Sequence, residues 1–434
     1  MSEILRRNAC PSLAVPMQTG DGLLARINTW RGTLSPAHLG TVATSASRHG
    51  SGIVEITRRG SLQVRGLTAN SAEPFMAEVL ESGLDIRSGV PVDIGPLIGR
   101  DSSENAATEA LYDAVVEAIG RTELGTRLGP KVSVVIDGGG ILGMADVIGD
   151  VRLTSLQPDR DVWQVAIGGT ASSARLATTV ERREAVPLVV ELLGTIAELG
   201  RSGRGKMLDE NQISAACGHL PPHRQHASEQ GHSSVPHHAT SPIGRIALKE
   251  GSVAVGLGLP FGQATTNQII RLVQIAEKSI VSEFRMAPGC ALLAICDAPD
   301  RAEDLHTAAS HLGFVVDPDD PRLRVVACAG APLCGSGTFN TKAVAAELVA
   351  QGLPADVDTI HVSGCAKRCA EPPSPTVSLI GDAEGVNIIE ARSGGIRDHV
   401  AEREVAAAFQ RVMSGHKMGR GGAPATRQRH GTQA

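Results

Sequence analysis

The sequence predicts an α+β fold in which one strand-helix-strand unit occurs twice and two mixed α/β lobes complete the chain. Three observations lead there. A shift of 230 residues aligns Leu23 to Leu62 with Val253 to Leu292 without a gap. Between and after these copies, helix-period and strand-period segments alternate. Two cysteine pairs lie on loops that follow predicted strands. The 434 residues suffice for about three units, each able to bury a core, at roughly 150 residues per domain.

In the first copy an alternating run places Leu24, Arg26 and Asn28 on one face and Ala25 and Ile27 on the other. Ser35 and Pro36 then start a helix as N-cap and first helical residue, and it stops at His49 and Gly50 before a second strand. The 230-residue shift sets Gly32 on Gly262, Leu39 on Ile269, Ala46 on Ala276 and Ile56 on Met286. Between the copies, Leu111, Val115 and Ile119 mark a helix over 108–121. Strands are predicted over 131–136 and 162–167, and a helix over 185–199. After the second copy, 325–327 and 360–362 read as strands, with a helix over 341–351 between them.

The stretch 218–242 is rich in Pro, Ser and Gly and holds six of the fourteen histidines. It reads as an exposed linker, because ligands on a flexible strand pay a large ordering entropy. The basic, glycine-rich end, 413–434, reads as a disordered tail.

A net charge of −5 and 2% aromatic residues exclude a broad nucleic-acid surface and base stacking. The N-terminus lacks the apolar core of a signal peptide, and no apolar run reaches membrane-spanning length. A cytoplasmic protein with no membrane or nucleic-acid partner is expected.

Eight cysteines are too few for a disulfide scaffold in a chain of this length. Cys10, Cys217, Cys290 and Cys296 are scattered. Cys328 and Cys334 are separated by five residues, and Cys365 and Cys369 by three, with glycine at 330, 335 and 364. Two thiol pairs converging from strand ends can surround a 4Fe-4S cubane, and glycine exposes backbone amides to its negative charge. Lys367 and Arg368 add positive charge. Structural zinc fits less well, since zinc pairs favour two to four intervening residues.

These cysteine spacings resemble those of the siroheme-dependent nitrite and sulfite reductase family. Within it the chain is most similar to the precorrin-3B synthase branch, through 21–26 (DGLLAR), 57–63 (TRRGSLQ), 135–140 (VIDGGG) and 361–369 (HVSGCAKRC). The resemblance implies a nitrite/sulfite reductase-like α+β fold with duplicated ferredoxin-like half-domains at 16–56 and 243–286. They are followed by α/β lobes at 57–217 and 287–412, the second carrying the cluster on Cys328, Cys334, Cys365 and Cys369. It also implies O2-dependent hydroxylation and lactone formation on precorrin-3A, a mononuclear non-haem iron, and an external donor such as a ferredoxin or NADH-linked reductase. Siroheme belongs to the alternative, a nitrite or sulfite reductase. A non-catalytic tetrapyrrole or iron-sulfur carrier is a further reading.

A polycarboxylate tetrapyrrole calls for guanidinium groups. Arg26 and Arg59 occupy family positions that face the macrocycle, with Arg58 and Arg65 alongside. The shift places Arg26 on Gly256 and Arg59 on Gly289, so only the first copy is charged there. Of the family's K-x-K pair, Lys131 matches and Ser133 replaces the second lysine, which leaves less charge for a small oxyanion. The segment 137–140 (DGGG) has neither dinucleotide nor P-loop spacing. No general acid, base or iron ligand stands out, and His38, His49 and His361 are as readily cap, turn or packing residues.

Overall fold

The computed structural model describes residues 11–218, 241–372, 374–391 and 394–418. Cys10, almost all of the expected linker (219–240) and most of the expected tail (419–434) lie outside them. The chain divides into two compact units, one up to Asp320 and one from Pro321 onward.

The first unit opens with β1 (Met17–Thr19), β2 (Gly22–Ile27), β3 (Thr33–Leu34), α1 (Pro36–His49), β4 (Ile53–Ile56), β5 (Leu62–Leu67) and α2 (Ala72–Glu81). A lobe follows, with β6 (Val92–Ile94), α3 (Thr108–Gly120), α4 (Leu124–Arg127), β7 (Val134–Asp137), β8 (Gly149–Ser155), β9 (Val162–Gly169), β10 (Arg175–Glu181), α5 (Arg182–Glu198) and α6 (Glu210–Cys217). The repeat then returns as β11 (Gly244–Ala247), β12 (Val253–Gly258), β13 (Gln263–Thr265), α7 (Thr266–Lys278), β14 (Val281–Ala287), β15 (Ala291–Cys296) and α8 (Pro299–His311). As read from the sequence, the Ser35 side chain caps α1 by accepting from His38 N, with proline at the first helical position.

The two copies exchange strands. The first sheet runs β1-β2-β5-β4-β13 and the second β11-β12-β15-β14-β3, so each takes its last strand from the other copy. The inward faces of both sheets, with α1, α2, α7 and α8, share one core around Ile27, Leu39, Val64, Leu272, Phe284 and Leu292. Both β5 and β15 lie in the middle of these sheets, beyond the expected half-domain limits at 56 and 286. The sequence pattern ended each half-domain at its second strand, and the central strand that pairs on both sides lies just beyond it.

The lobe sheet has the order β10-β9-β8-β7-β6, with β6, β7 and β8 parallel and the rest antiparallel. The second unit repeats this plan. Its elements are β16 (Val325–Ala327), α9 (Thr341–Ala350), β17 (Ile360–Ser363), β18 (Val377–Gly381), β19 (Val386–Glu390), β20 (Ile396–Val400) and α10 (Val405–Met418). The first three strands are parallel and the last two antiparallel. The first residues of the expected tail, 413–418, are helical. Among the described residues, no helix is long and apolar enough to cross a membrane.

Why the second copy carries glycine opposite Arg26 is visible in the backbone. A Cβ on Gly256 would stand 1.7 Å from the Pro242 carbonyl oxygen, and one on Gly289 would meet Pro242 Cγ at 3.7 Å. The chain entering β11 therefore passes over the face that is charged in the first copy.

Gly256→Ala is expected to destabilise the first unit by at least about 1–3 kcal/mol through forced backbone displacement. Gly194→Ala, inside α5 with nothing within 4 Å of the added Cβ, should instead stabilise by up to about 1 kcal/mol. Urea denaturation of the two variants beside the parent protein checks both signs.

Candidate functional site

The second unit gathers the four thiols on two loops. Pairing of β16 with β17 sets Ala327 opposite Val362, so Cys328 leaves one strand beside the end of the other. Cys328 N donates to Val362 O at 3.0 Å, and Gly364 N donates to the Cys328 sulfur at 3.2 Å. The loop carrying Cys334 is closed by Cys334 N donating to Gly330 O at 2.6 Å and by Gly337 N donating to Cys334 O at 2.8 Å. It meets the second loop where Thr338 N donates to Gly364 O at 2.8 Å.

Glycine is required where these loops cross. A Cβ on Gly330, at φ +63°, would stand 2.4 Å from Thr341 Oγ1, and one on Gly364 would lie 3.1 Å from the Gly337 Cα. Lys367 Nζ donates to Ser336 Oγ at 3.3 Å and so places a positive charge across both loops. Arg368, expected to add to it, pairs with Glu371 and donates to Ser378 Oγ at 3.3 Å.

All four thiols are free. Partial desolvation and then the fields of Cys365, Cys328 and Cys334 push the Cys369 thiol above its usual range. Thiols gathered in this way form a donor set that a cationic centre relieves. Cluster iron meets this need, and the loop amides and Lys367 suit the residual negative charge.

In the first unit the strand register lines up a polar row across the outer face of one sheet. Arg26 on β2 lies opposite Gln63 on β5, Gln63 opposite Glu55 on β4, and Glu55 opposite Gln263 on β13. With its amide oxygen toward Arg26, Gln63 accepts from Nη2 at 2.6 Å and Nε at 2.8 Å, and its nitrogen donates to Glu55 Oε2 at 3.3 Å. Gln263 Nε2 donates to Glu55 Oε1 at 2.7 Å.

Arg65, expected beside the ligand, is instead buried at 3% exposure and paired with Asp21 at 2.8 Å and Glu55 at 3.3 Å. Burial alone would lower its pKa; Glu55 and Asp21 reverse this and hold it raised. Its task is to keep two carboxylates neutralised inside the fold.

Arg59 projects from the turn joining β4 to β5. Its Nη2 donates to Asp93 Oδ2 at 2.6 Å and to Ser133 Oγ at 3.2 Å. The structure thus joins two positions singled out from sequence, Arg59 and Ser133. Lys131 stands exposed in the turn two residues earlier. Arg58 is exposed, and its carbonyl accepts from Gly289 N at 3.0 Å.

Comparisons with known proteins bear on the family and the fold. Residues 15–82 match the nitrite/sulfite reductase ferredoxin-like half domain. A precorrin-3B synthase from Sinorhizobium sp. is 35% identical over 389 residues, covering 89% of this chain and 83% of the relative. The chain belongs to the precorrin-3B synthase family. At greater distance, the assimilatory ferredoxin-dependent nitrite reductase of Haloferax mediterranei is 23% identical over 436 residues, covering 86% of this chain and 73% of that one. The Mycobacterium tuberculosis NirA protein shares the fold, with a TM-score of 0.72 at 18% identity over 93% of this chain and 82% of that one.

In this precorrin-3B synthase family member, several polar residues around the arginines were not legible in the sequence. Glu55 and Gln263 join the Arg26 row through strand pairing and Asp93 reaches Arg59 from the lobe sheet, and no local spacing announces them. Among the described residues, no three His, Cys, Asp or Glu side chains converge on a single metal ion.

The 137–140 loop covers another group missed from sequence, Glu104, which is 7% exposed. Gly99 N donates to Glu104 Oε2 at 3.2 Å, and a Cβ on Gly138 would lie 2.6 Å from Glu104 Cγ. Burial, reinforced by Asp101 and Asp137 and opposed by the Gly99 N–H and Lys249, pushes its carboxyl up to about 7.

A carboxyl whose folded pKa is raised favours the native state below its unfolded pKa, and that contribution is lost as pH rises through the folded pKa. Glu104 should therefore cost the first unit on the order of 3 kcal/mol between about pH 4.5 and 8. Glu104→Gln is expected to flatten this part of the stability profile. Urea midpoints from pH 5 to 8 that fall equally in parent and variant would refute the assignment.

Proposed function

We propose that the chain carries out the precorrin-3B synthase reaction, O2-dependent hydroxylation of precorrin-3A at a ring carbon with closure of an acetate side chain to a lactone. The similarity to the Sinorhizobium enzyme along 89% of the chain is the observation that carries this reading. The polar row around Arg26 supports it, because an anionic macrocycle needs guanidinium groups held in fixed planes.

Two electrons and two protons accompany the four-electron reduction of O2. One oxygen atom enters the substrate, the other leaves as water, and the substrate supplies the remaining two electrons. A 4Fe-4S cluster on Cys328, Cys334, Cys365 and Cys369 supplies one-electron transfer when bound. A mononuclear iron for oxygen activation belongs to the same proposal, as does an external donor such as a ferredoxin or NADH-linked reductase.

The chain's own residues bind and orient. Arg26 and Arg59 meet substrate carboxylates, Lys131 adds charge at the rim, and Ser133 accepts from Arg59 where a lysine would repel it. Lys367 screens the thiolate loops. A cytoplasmic location belongs to the same proposal.

Anaerobically purified protein given precorrin-3A, reductant and 18O2 is expected to yield product carrying one labelled oxygen. Unlabelled product would overturn this reading, and a purified protein showing the sharp visible bands of an isobacteriochlorin would instead indicate a reductase of the siroheme type. Cys334→Ser should abolish the broad iron-sulfur absorbance and the turnover together, and retention of both would reassign the ligands.

A further inference from the structure

The second copy of the repeat lends a residue to the first copy's charged face. Strand exchange brings β13 against β4, and Gln263 thereby becomes the fourth member of the row Arg26, Gln63, Glu55, Gln263. The corresponding row of the second sheet reads Gly256, Leu293, Arg285 and Thr33. There Arg285 turns away, donating to Ile98 O at 2.7 Å and Glu283 Oε1 at 2.8 Å. The first row is therefore a particular arrangement, and not a by-product of sheet geometry.

Its chemistry has a direction. A glutamine amide presents a carbonyl or an NH2 group according to a half-turn of its end, and only the carbonyl can meet an arginine. Glu55, an acceptor, settles the choice by taking the Gln63 nitrogen, and Gln63 then accepts from both Nε and Nη2 of Arg26. That contact fixes the guanidinium plane by one edge. The Nη1–Nη2 edge presents two parallel N–H groups, the geometry of a bidentate carboxylate contact.

Glu55 in turn is held by Gln263 at 2.7 Å and Arg65 at 3.3 Å. Asp21 accepts from Arg65 at 2.8 and 3.1 Å, so the Arg65 charge remains satisfied if Glu55 is neutralised.

We propose that Glu55 and Gln263 are positioning residues for the substrate carboxylate: through Gln63 they set the plane in which Arg26 receives a carboxylate of the tetrapyrrole. This rests on the reading of Arg26 as a carboxylate-binding residue. The second copy is then part of substrate recognition, although its own equivalents of Arg26 and Arg59 are glycines.

The test is anaerobic titration of the purified protein with precorrin-3A, without O2 or reductant, for Gln263→Leu, Glu55→Gln, Arg26→Ala and their double variants. Gln263→Leu and Glu55→Gln should each raise Kd about three- to tenfold, the size of one typical net hydrogen bond. Added to Arg26→Ala, neither should cost more, because residues acting through one partner are not additive. In turnover the loss should fall on KM more than on kcat.

Full additivity with Arg26→Ala, or an unchanged Kd in Gln263→Leu while Arg26→Ala binds weakly, would overturn the positioning role alone. An unchanged Kd in Arg26→Ala itself would remove the carboxylate assignment beneath it. Thermal melts accompany each variant. If Glu55→Gln does not fold, Gln263→Leu, which leaves every charge paired, decides the question.

Discussion

The first unit depends on the exchange of one short strand between the two copies. Because β3 closes the second sheet and β13 the first, neither copy completes its sheet without the other, and the helices of both bury against a single core. A duplicated unit is then held in a fixed relation to its partner by backbone pairing. Side-chain packing alone would leave that relation to the shape of a groove. The polar row around Arg26 inherits this precision, since its members sit on four neighbouring strands of one sheet.

The asymmetry of the two copies follows from how each outer face is covered. In the first, Arg65 is buried between Asp21 and Glu55. A charged cluster of this kind tolerates further polar neighbours because its desolvation is already offset. In the second, the Pro242 backbone lies over Gly256, and no side chain fits. One sheet thus retains a face on which guanidinium groups can be arranged, and its duplicate has become a packed surface.

A similar divergence separates the two lobes, whose sheets share order and strand sense. In the first lobe the loops after β6 and β7 satisfy themselves with carboxylates. Asp137 accepts from Gly139 N at 3.1 Å and Met144 N at 2.9 Å, and Asp101 accepts from Ser103 N at 2.8 Å. Arg152, 1% exposed, ties Met144 O at 3.0 Å. The corresponding loops of the second lobe carry Cys328, Cys334, Cys365 and Cys369. Burial and then the neighbouring thiols raise the Cys369 thiol, so the second lobe gathers sulfur donors where the first gathers carboxylates.

This division explains what the sequence disclosed. Patterns local in the chain were legible: the Ser35 and Pro36 start of α1, the strand 325–327, the two cysteine pairs, and the repeat whose shift of 230 residues sets Thr33 on β3 over Gln263 on β13. Contacts made by tertiary pairing were not. Arg65 flanks Arg59 in the sequence, yet Asp21, 44 residues away, and Glu55 decide its role. Arg59 and Ser133 were separate signals in the sequence, and only the fold brings them together, with Asp93 on the same guanidinium nitrogen. A substrate carboxylate arriving at Arg59 must share that group with Asp93, which also lies 3.6 Å from Arg87. Of the two arginines named from sequence, Arg26 is held by a neutral amide and Arg59 by a carboxylate. The two guanidinium groups are thus oriented by different chemistry, Arg26 through an amide oxygen and Arg59 through a carboxylate that an arriving anion would have to share.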